Sequence, residues 1–176
     1  MVSWAEFAEL ASAAVTVTVR GRVRSTEDRT SEWVTFAPPD FWRIADADGH
    51  LRFLADAEGR YDWSSGGELP VFTPRDPRDF HWGGRFSPGL INPRPLDGDD
   101  FTRPGGPVEE VTFLGRPAWR VLLLPPPRKP HPILQFTDVA TGITLSTQSQ
   151  DGAHFLGFTE LETGVDLPSD AFVPPV

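Results

Sequence analysis

WVTFAPPDFWRIADADGHLRFLADAEGRYDWSSGGELPVF, residues Trp33 to Phe72, is the stretch that decides the fold. Short apolar-rich runs follow one another in it: Trp33–Phe36, Phe41–Ala45, Leu51–Ala55, Tyr61–Trp63 and Leu69–Phe72. Turn-forming pairs separate them: Pro38-Pro39, Asp48-Gly49, Glu58-Gly59 and Gly66-Gly67. Asp-Gly suits a tight hairpin because Gly, and to a lesser degree Asp, tolerates positive φ. Runs this short at this spacing predict an antiparallel meander, not alternating strands and helices.

Outward from the meander, the same pattern continues. Ala14–Arg24 alternates strictly, with Val15, Val17, Val19, Gly21 and Val23 facing one way and Thr16, Thr18, Arg20, Arg22 and Arg24 the other. Such alternation predicts a strand with one buried and one wet face. The arginines then read as a solvated outer face, with a phosphate or carboxylate site as the alternative. Before it, Ser3 and Glu6 form a capping-box pair, and Trp4, Phe7, Ala8 and Ala11 fall near helical spacing, so Ser3–Ser12 is expected to be a helix. After the meander come hairpins over Val108–Leu124 and Ile133–Thr147, a strand over His154–Glu162, and a closing turn at Leu167–Phe172 that docks one Phe. Pro125–Pro132 (PPPRKPHP) reads as a stiff connector, with a ligand for a proline-binding domain as the alternative.

The expectation is one α+β domain over residues 1–176: about ten antiparallel strands in one large curved, unclosed sheet, with an N-terminal helix and short helices or loops over its concave face. Residues 73–107 change character, being rich in Pro and Gly with isolated apolar residues, and read as an irregular insertion with short helical turns near Asp76–Trp82 and Ser87–Ile91. Long irregular stretches in compact domains are typically lids or binding loops.

Composition narrows the function classes. A net charge of −9 argues against a nucleic-acid or anionic-membrane surface, which needs clustered Lys and Arg. The absence of Cys removes disulfides, thiol catalysis and Cys-based metal sites. No run approaches the roughly 20 apolar residues of a membrane helix. MVSWAEFAELASAAV lacks a basic n-region and carries Glu6 and Glu9, so no signal peptide is expected. The expected compartment is the cytoplasm, or an extracytoplasmic space if the chain has been trimmed.

Chemistry is sparse. No nucleophile-elbow, phosphate-loop or dinucleotide motif occurs. His81, between Phe80 and Trp82 with Asp76 and Asp79 nearby, is the best acid-base candidate, because His titrates near neutrality. Arg43, among aromatics, is the other weak catalytic candidate, and a structural role competes in both cases. His50 reads as a solvated turn residue, and Asp97-Gly98-Asp99-Asp100 as a turn, not a calcium loop. No metal site and no cofactor are expected.

The aromatics are what remains. Six Trp and thirteen Phe exceed what a plain core of this size needs. Trp33, Phe36, Trp42, Phe53, Trp63, Phe80, Trp82, Phe86, Trp119 and Phe136 are the expected lining of an apolar pocket, against the plainer reading that each fills the core.

The order of the pieces also resembles a family. An N-terminal helix precedes a valine-alternating strand. Ala37-Pro38-Pro39-Asp40-Phe41-Trp42-Arg43-Ile44 and Gly59-Arg60-Tyr61-Asp62-Trp63 follow. Then come Phe113–Val121, Asp138–Leu145 and the tail Leu167–Phe172. This succession resembles the lipoprotein-carrier superfamily of LolA-type carriers, LppX/LprG-type lipoproteins and RseB-type regulators. Asp99–Pro104 and Pro125–Pro132 resemble its actinobacterial members. The resemblance implies an unclosed β half-barrel whose apolar concave side holds acyl chains, hence a non-catalytic binder of a lipid or other hydrophobic small molecule. The same scaffold serves a cofactor-free enzyme of the violacein pathway, so a cofactor-independent enzyme stays open, as does a regulatory protein-interaction domain.

Overall fold

A computed structural model of the chain describes residues 2–27, 29–63, 69–75, 87–91, 103–127 and 131–175, with the side chains of Ser87 and Pro88 excepted. The first element is α1 (Trp4–Ser12). Ser3 Oγ accepts from the Glu6 backbone N–H (3.2 Å), and Glu6 Oε2 accepts from the Ser3 backbone N–H (2.7 Å). The capping box read from the sequence is therefore formed, and it satisfies two donors that helix geometry leaves orphaned.

Twelve strands follow among the described residues: β1 (Val19–Ser25), β2 (Thr30–Ala37), β3 (Phe41–Asp46), β4 (Leu51–Ala55), β5 (Gly59–Asp62), β6 (Val71–Pro74), β7 (Arg103–Pro104), β8 (Glu109–Phe113), β9 (Arg116–Leu124), β10 (Ile133–Asp138), β11 (Thr144–Ser149) and β12 (Phe155–Thr163). A short helix, α2 (Ser87–Ile91), lies between β6 and β7. All strands belong to one sheet in the order β6-β5-β4-β3-β2-β1-β12-β11-β10-β9-β7, with β8 also paired to β9, and every pairing is antiparallel. The sheet is an unclosed half-barrel, with β6 at one end and β7 and β8 at the other.

The expected strand at Ala14–Arg24 begins late, at Val19. Its first partners are Phe36 on β2 and Thr163 on β12. Beyond Ala37 the chain turns at Pro38 and Pro39, so residues 14–18 find no partners on the β2 side, whereas on the β12 side the Thr18 carbonyl still accepts from the Gly164 N–H (2.8 Å). Val15 is still buried in the core. The strand count exceeds ten, and α2 and β7 both fall within residues 73–107. The expected turn near Asp76–Trp82 lies outside the described residues.

Two apolar clusters hold the sheet. The larger takes Val19 and Val23 from β1, Val34 and Phe36 from β2, Trp42 and Ile44 from β3, Phe53 and Ala55 from β4, Leu145 and Phe158 from β11 and β12, and Leu90 and Ile91 from α2. The smaller joins Phe7 and Ala11 of α1 to Val108, Val121 and Leu123. β9 serves both: Ala118 enters the large cluster, whereas Val121 and Leu123, on the opposite face by strand alternation, enter the small one. α1 comes close to the β10–β11 turn at Gly142, whose φ is +74°, and a Cβ there would lie 2.6 Å from the Leu10 carbonyl oxygen. Only Gly meets both demands.

Polar ties fix the far half of the sheet. Asp138, 1% exposed, accepts from Arg116 Nε (3.2 Å) and Nη2 (3.1 Å), and Nη2 also donates to Thr163 Oγ1 (3.0 Å), so one guanidinium links β9, β10 and β12. Buried Gln135 donates to Thr137 Oγ1 (3.2 Å) and Thr144 Oγ1 (3.4 Å). Ser146 is the exception: it is fully buried, and its Oγ has no hydrogen-bond partner among the described residues. A buried hydroxyl without a partner costs stability. Ser146→Ala is therefore expected to leave stability unchanged or raise it by up to about 1 kcal/mol. Urea denaturation checks this, and a loss of more than about 1 kcal/mol would reveal a hydrogen bond to that hydroxyl.

Candidate functional site

Strand register decides which side chains share a wall. Val19 pairs with Phe36, Phe36 with Trp42, and Trp42 with Ala55; one step along, Val34 pairs with Ile44 and Ile44 with Phe53. Directly paired residues point to one face, so these rows form a continuous apolar wall across β1–β4. Phe36, Trp42 and Phe53 are each at most 1% exposed, and the Phe36 and Trp42 rings lie 4.6 Å apart. The described cover over this cluster outside the strands is thin. Leu90 and Ile91 of the five-residue α2, which lies against β11, are its only helical members among the described residues.

The expected pocket residues divide over several surfaces. Phe36, Trp42, Phe53 and Phe136 belong to the large cluster. Trp33 pairs with Arg22 on the opposite face of β1–β2, where the Arg22 guanidinium sits 5.5 Å from its ring centroid. Trp63 stacks on Tyr61 at 6.3 Å, and Tyr61 pairs with Leu54, which pairs with Arg43, so this pair also lies on the face away from Phe53. Trp119 is half-buried against the α1 cluster, opposite in strand parity to Phe136. Phe136 instead packs on Phe113, with ring centroids 4.7 Å apart. Phe80, Trp82, Phe86 and His81 lie outside the described residues. Val34, Ile44, Leu145 and Phe158 belong to the same wall and were not singled out; the alternation of β2 and β3 around Phe36 and Trp42 carries the signal for the first two.

One polar group supports the wall from its edge. Trp42 Nε1–H donates to Asp40 Oδ1 (2.8 Å), and Asp40 Oδ2 also accepts from Arg75 (3.3 Å). Burial pushes the Asp40 carboxyl above its usual 3.8, and the indole N–H and Arg75, which act the other way, do not offset it. The Asp-x-Trp spacing is visible in the sequence.

Arg43 alternates with Trp42 and Ile44 and so faces away from the wall. It pairs with Thr35, which pairs with Arg20. These three side chains and the segment Val165–Val173 line a groove of about 480 Å³ that also holds Asp166 and Asp170. The tail is anchored there by Phe172, 5.7 Å from Phe41. A second open groove on the same face, about 760 Å³, is lined by Arg22, Arg24, Arg29, Glu160 and a set of Ser and Thr residues around the β1–β2 turn.

His50 is exposed, with Nδ1 3.5 Å from Asp46. Asp46, Asp48 and His50 bring potential ligand atoms within 4.8 Å of one another. Asp46 is already committed, however, to Arg52 (2.9 and 2.7 Å) and to the backbone N–H groups of Asp48 and His50. Partial desolvation pushes its carboxyl up, but the Arg52 guanidinium and those N–H groups outweigh it and hold Asp46 below the ordinary range. The cluster is the scaffolding of the β3–β4 turn. No helix among the described residues is long and apolar enough to cross a membrane.

The sheet and its helices define a LolA/RseB-like half-barrel fold. Among solved structures, the chain is similar to an uncharacterized conserved protein from Thermus thermophilus, over 98% of this chain and 93% of that one, at 10% identity and a TM-score of 0.58. It is also similar to MucB in the Pseudomonas aeruginosa MucA/MucB complex, over 98% of this chain at 16% identity and a TM-score of 0.51. It spans 60% of the MucB chain's length. A LolA superfamily protein from Nitrosomonas europaea aligns over 99% of both chains at 12% identity with a TM-score of 0.36; the fold assignment rests on the first two. No protein-family model and no curated protein matches the chain.

Asp40 yields a pH-dependent prediction. A raised acid pKa in the folded state contributes stability below the unfolded value, near 3.8, that is lost as pH rises through the folded value. Asp40→Asn keeps an acceptor for Trp42 and removes the buried charge. The variant is expected to match wild type at about pH 3 and below, where Asp40 is largely protonated in both states, and to match or exceed it at pH 7. Asp40→Ala strands the indole N–H and is expected to lose about 1–3 kcal/mol. Urea titrations at the two pH values separate these outcomes.

Proposed function

We propose that this chain is a non-catalytic binding domain that takes a lipid or another hydrophobic small molecule against the apolar wall of β1–β4. The observation that carries the reading is the wall itself: three large aromatic side chains on two neighbouring cross-strand rows of one face, under a described cover that includes a single five-residue helix. Helices this short have little stability of their own and depend on the contacts they make. Cover elements of low local stability are the ones that open for ligands. An apolar molecule entering under α2 would exchange Leu90 and Ile91 contacts for its own, at modest net cost. The LolA/RseB-like fold supports the same reading, since in carriers of that type the apolar concave side holds acyl chains.

A neutral, medium-chain monoacylglycerol is the direct probe, because it has no charge to seek elsewhere on the surface. At one hundred times its Kd, binding to the folded state adds about 2.7 kcal/mol, which for a domain of this size raises Tm by about 5–10 °C. Trp42 fluorescence is expected to change in parallel. Ile91→Ala, which thins the cover, is expected to lower stability and to preserve or strengthen binding. No rise in Tm with the probe and no fluorescence change would refute the reading.

A protein partner is the second reading, and one feature favours it. β6 ends the sheet, with Leu69, Val71 and Phe72 exposed at 82%, 59% and 45%. The similar MucB structure is of a complex with MucA. A partner that adds a strand to this edge would be lost on Phe72→Pro, which removes an outward-facing N–H and leaves the β5–β6 hydrogen bonds in place, with the monoacylglycerol response unaltered.

A further inference from the structure

The geometry points to a second site, for a small phosphate-bearing molecule, in the groove at the β1–β2 turn on the face opposite the apolar wall. Arg22 and Arg24 stand two residues apart on one strand, about 7 Å along it, and Arg29 closes the groove from the turn. Three guanidinium groups therefore line a space of about 760 Å³, within the range of small-ligand sites. Thr30 and Ser31 add hydroxyls, and Glu160 is the single carboxylate in the described lining.

The three arginines differ in how they are held. Arg22 is fixed: its Nε donates to Ser31 Oγ (2.9 Å), and its guanidinium lies over the Trp33 ring at 5.5 Å. That leaves its Nη groups free of the strand and presented in a defined plane. Arg24 and Arg29 have no ion-pair partner among the described residues. Clustered guanidinium groups with one carboxylate among them repel one another, and an oxyanion that accepts several N–H bonds relieves that repulsion. The neighbouring groove on the same face makes the contrast. There Asp166 and Asp170 of the C-terminal segment share the groove lining with Arg20 and Arg43, although no ion pair within 4.0 Å joins them among the described residues. The groove at the β1–β2 turn has Glu160 as its one lining carboxylate among the described residues, with Glu27 in the turn itself but outside that lining.

The chain's net charge of −9 selects the kind of anion. A long polyanion would be repelled by the rest of the surface, whereas one phosphate group engages only the local cluster. The shared chemistry is a phosphate monoester or diester, free or as a lipid headgroup. This site does not depend on the hydrophobic reading of the other face.

Titration of inorganic pyrophosphate by calorimetry, at constant ionic strength with chloride as the matched salt, tests the site. Saturable binding is expected, with affinity falling about tenfold or more in Arg24→Gln and in Arg29→Gln. Arg103→Gln, on β7 at the other end of the sheet, removes the same charge and is expected to bind as wild type. Cosedimentation with phosphatidylcholine vesicles, with and without phosphatidylglycerol, separates the sources. Capture only by the anionic vesicles, competed by pyrophosphate, assigns a headgroup; pyrophosphate binding without capture assigns a free phosphate compound. The site is overturned if neither probe binds, or if all three variants weaken binding equally, which would mark diffuse attraction without a site.

Discussion

The pairing register of β1 through β4 is the constraint on which the rest depends. Val19, Phe36, Trp42 and Ala55 fall in one cross-strand row, and Arg20, Thr35, Arg43 and Leu54 in the next. Because side chains alternate with period two, a slip of one residue in any pair would carry arginines into the core and aromatics into water. Pro38 and Pro39 between β2 and β3, and the Asp46-anchored turn between β3 and β4, hold that register at the strand ends. Both functional proposals are consequences of the one arrangement: an apolar wall on one face, a guanidinium row on the other.

The two faces are covered differently. The large apolar cluster that includes the wall takes in α2, packed against β11 and too short to be stable on its own. The arginine face receives the C-terminal segment, pinned by Phe172 on Phe41 and carrying Asp166 and Asp170 to Arg20 and Arg43. That segment covers part of Phe41 and brings two carboxylates into the groove of Arg20 and Arg43, and none of its residues lines the groove at the β1–β2 turn. The far half of the sheet is secured separately, by the Arg116–Asp138 pair and by α1 against Val121 and Leu123.

Much of this architecture was legible in the residues. Alternation located most strands, Ser3 and Glu6 located α1, and the order of elements resembled the half-barrel that the structure has. What escaped the sequence were relations between strands. Trp33 and Phe36 are three apart and therefore back to back on one strand, a fact contained in the numbering. That Trp119 and Phe136 also part company depends on the β9–β10 register, in which Phe136 meets Arg120 and Trp119 meets Thr137. Irregularities between Arg22 and Val23, Ile44 and Ala45, and Phe136 and Thr137 shift such pairings locally. A list of aromatics read as one pocket thus resolved into a wall, two surface stacks and a helix contact. The arginine row was visible as alternation, but that two tail carboxylates share the groove of Arg20 and Arg43 needed the tail in place.

Native mass spectrometry of the freshly purified chain, followed by organic extraction of what it carries, tests the central claim most directly. A half-barrel whose apolar wall accepts hydrophobic molecules is expected to show a recurrent adduct that partitions into the organic phase and is lost together with a drop in Tm. A clean mass for the chain alone, unchanged after incubation with a monoacylglycerol, would contradict it.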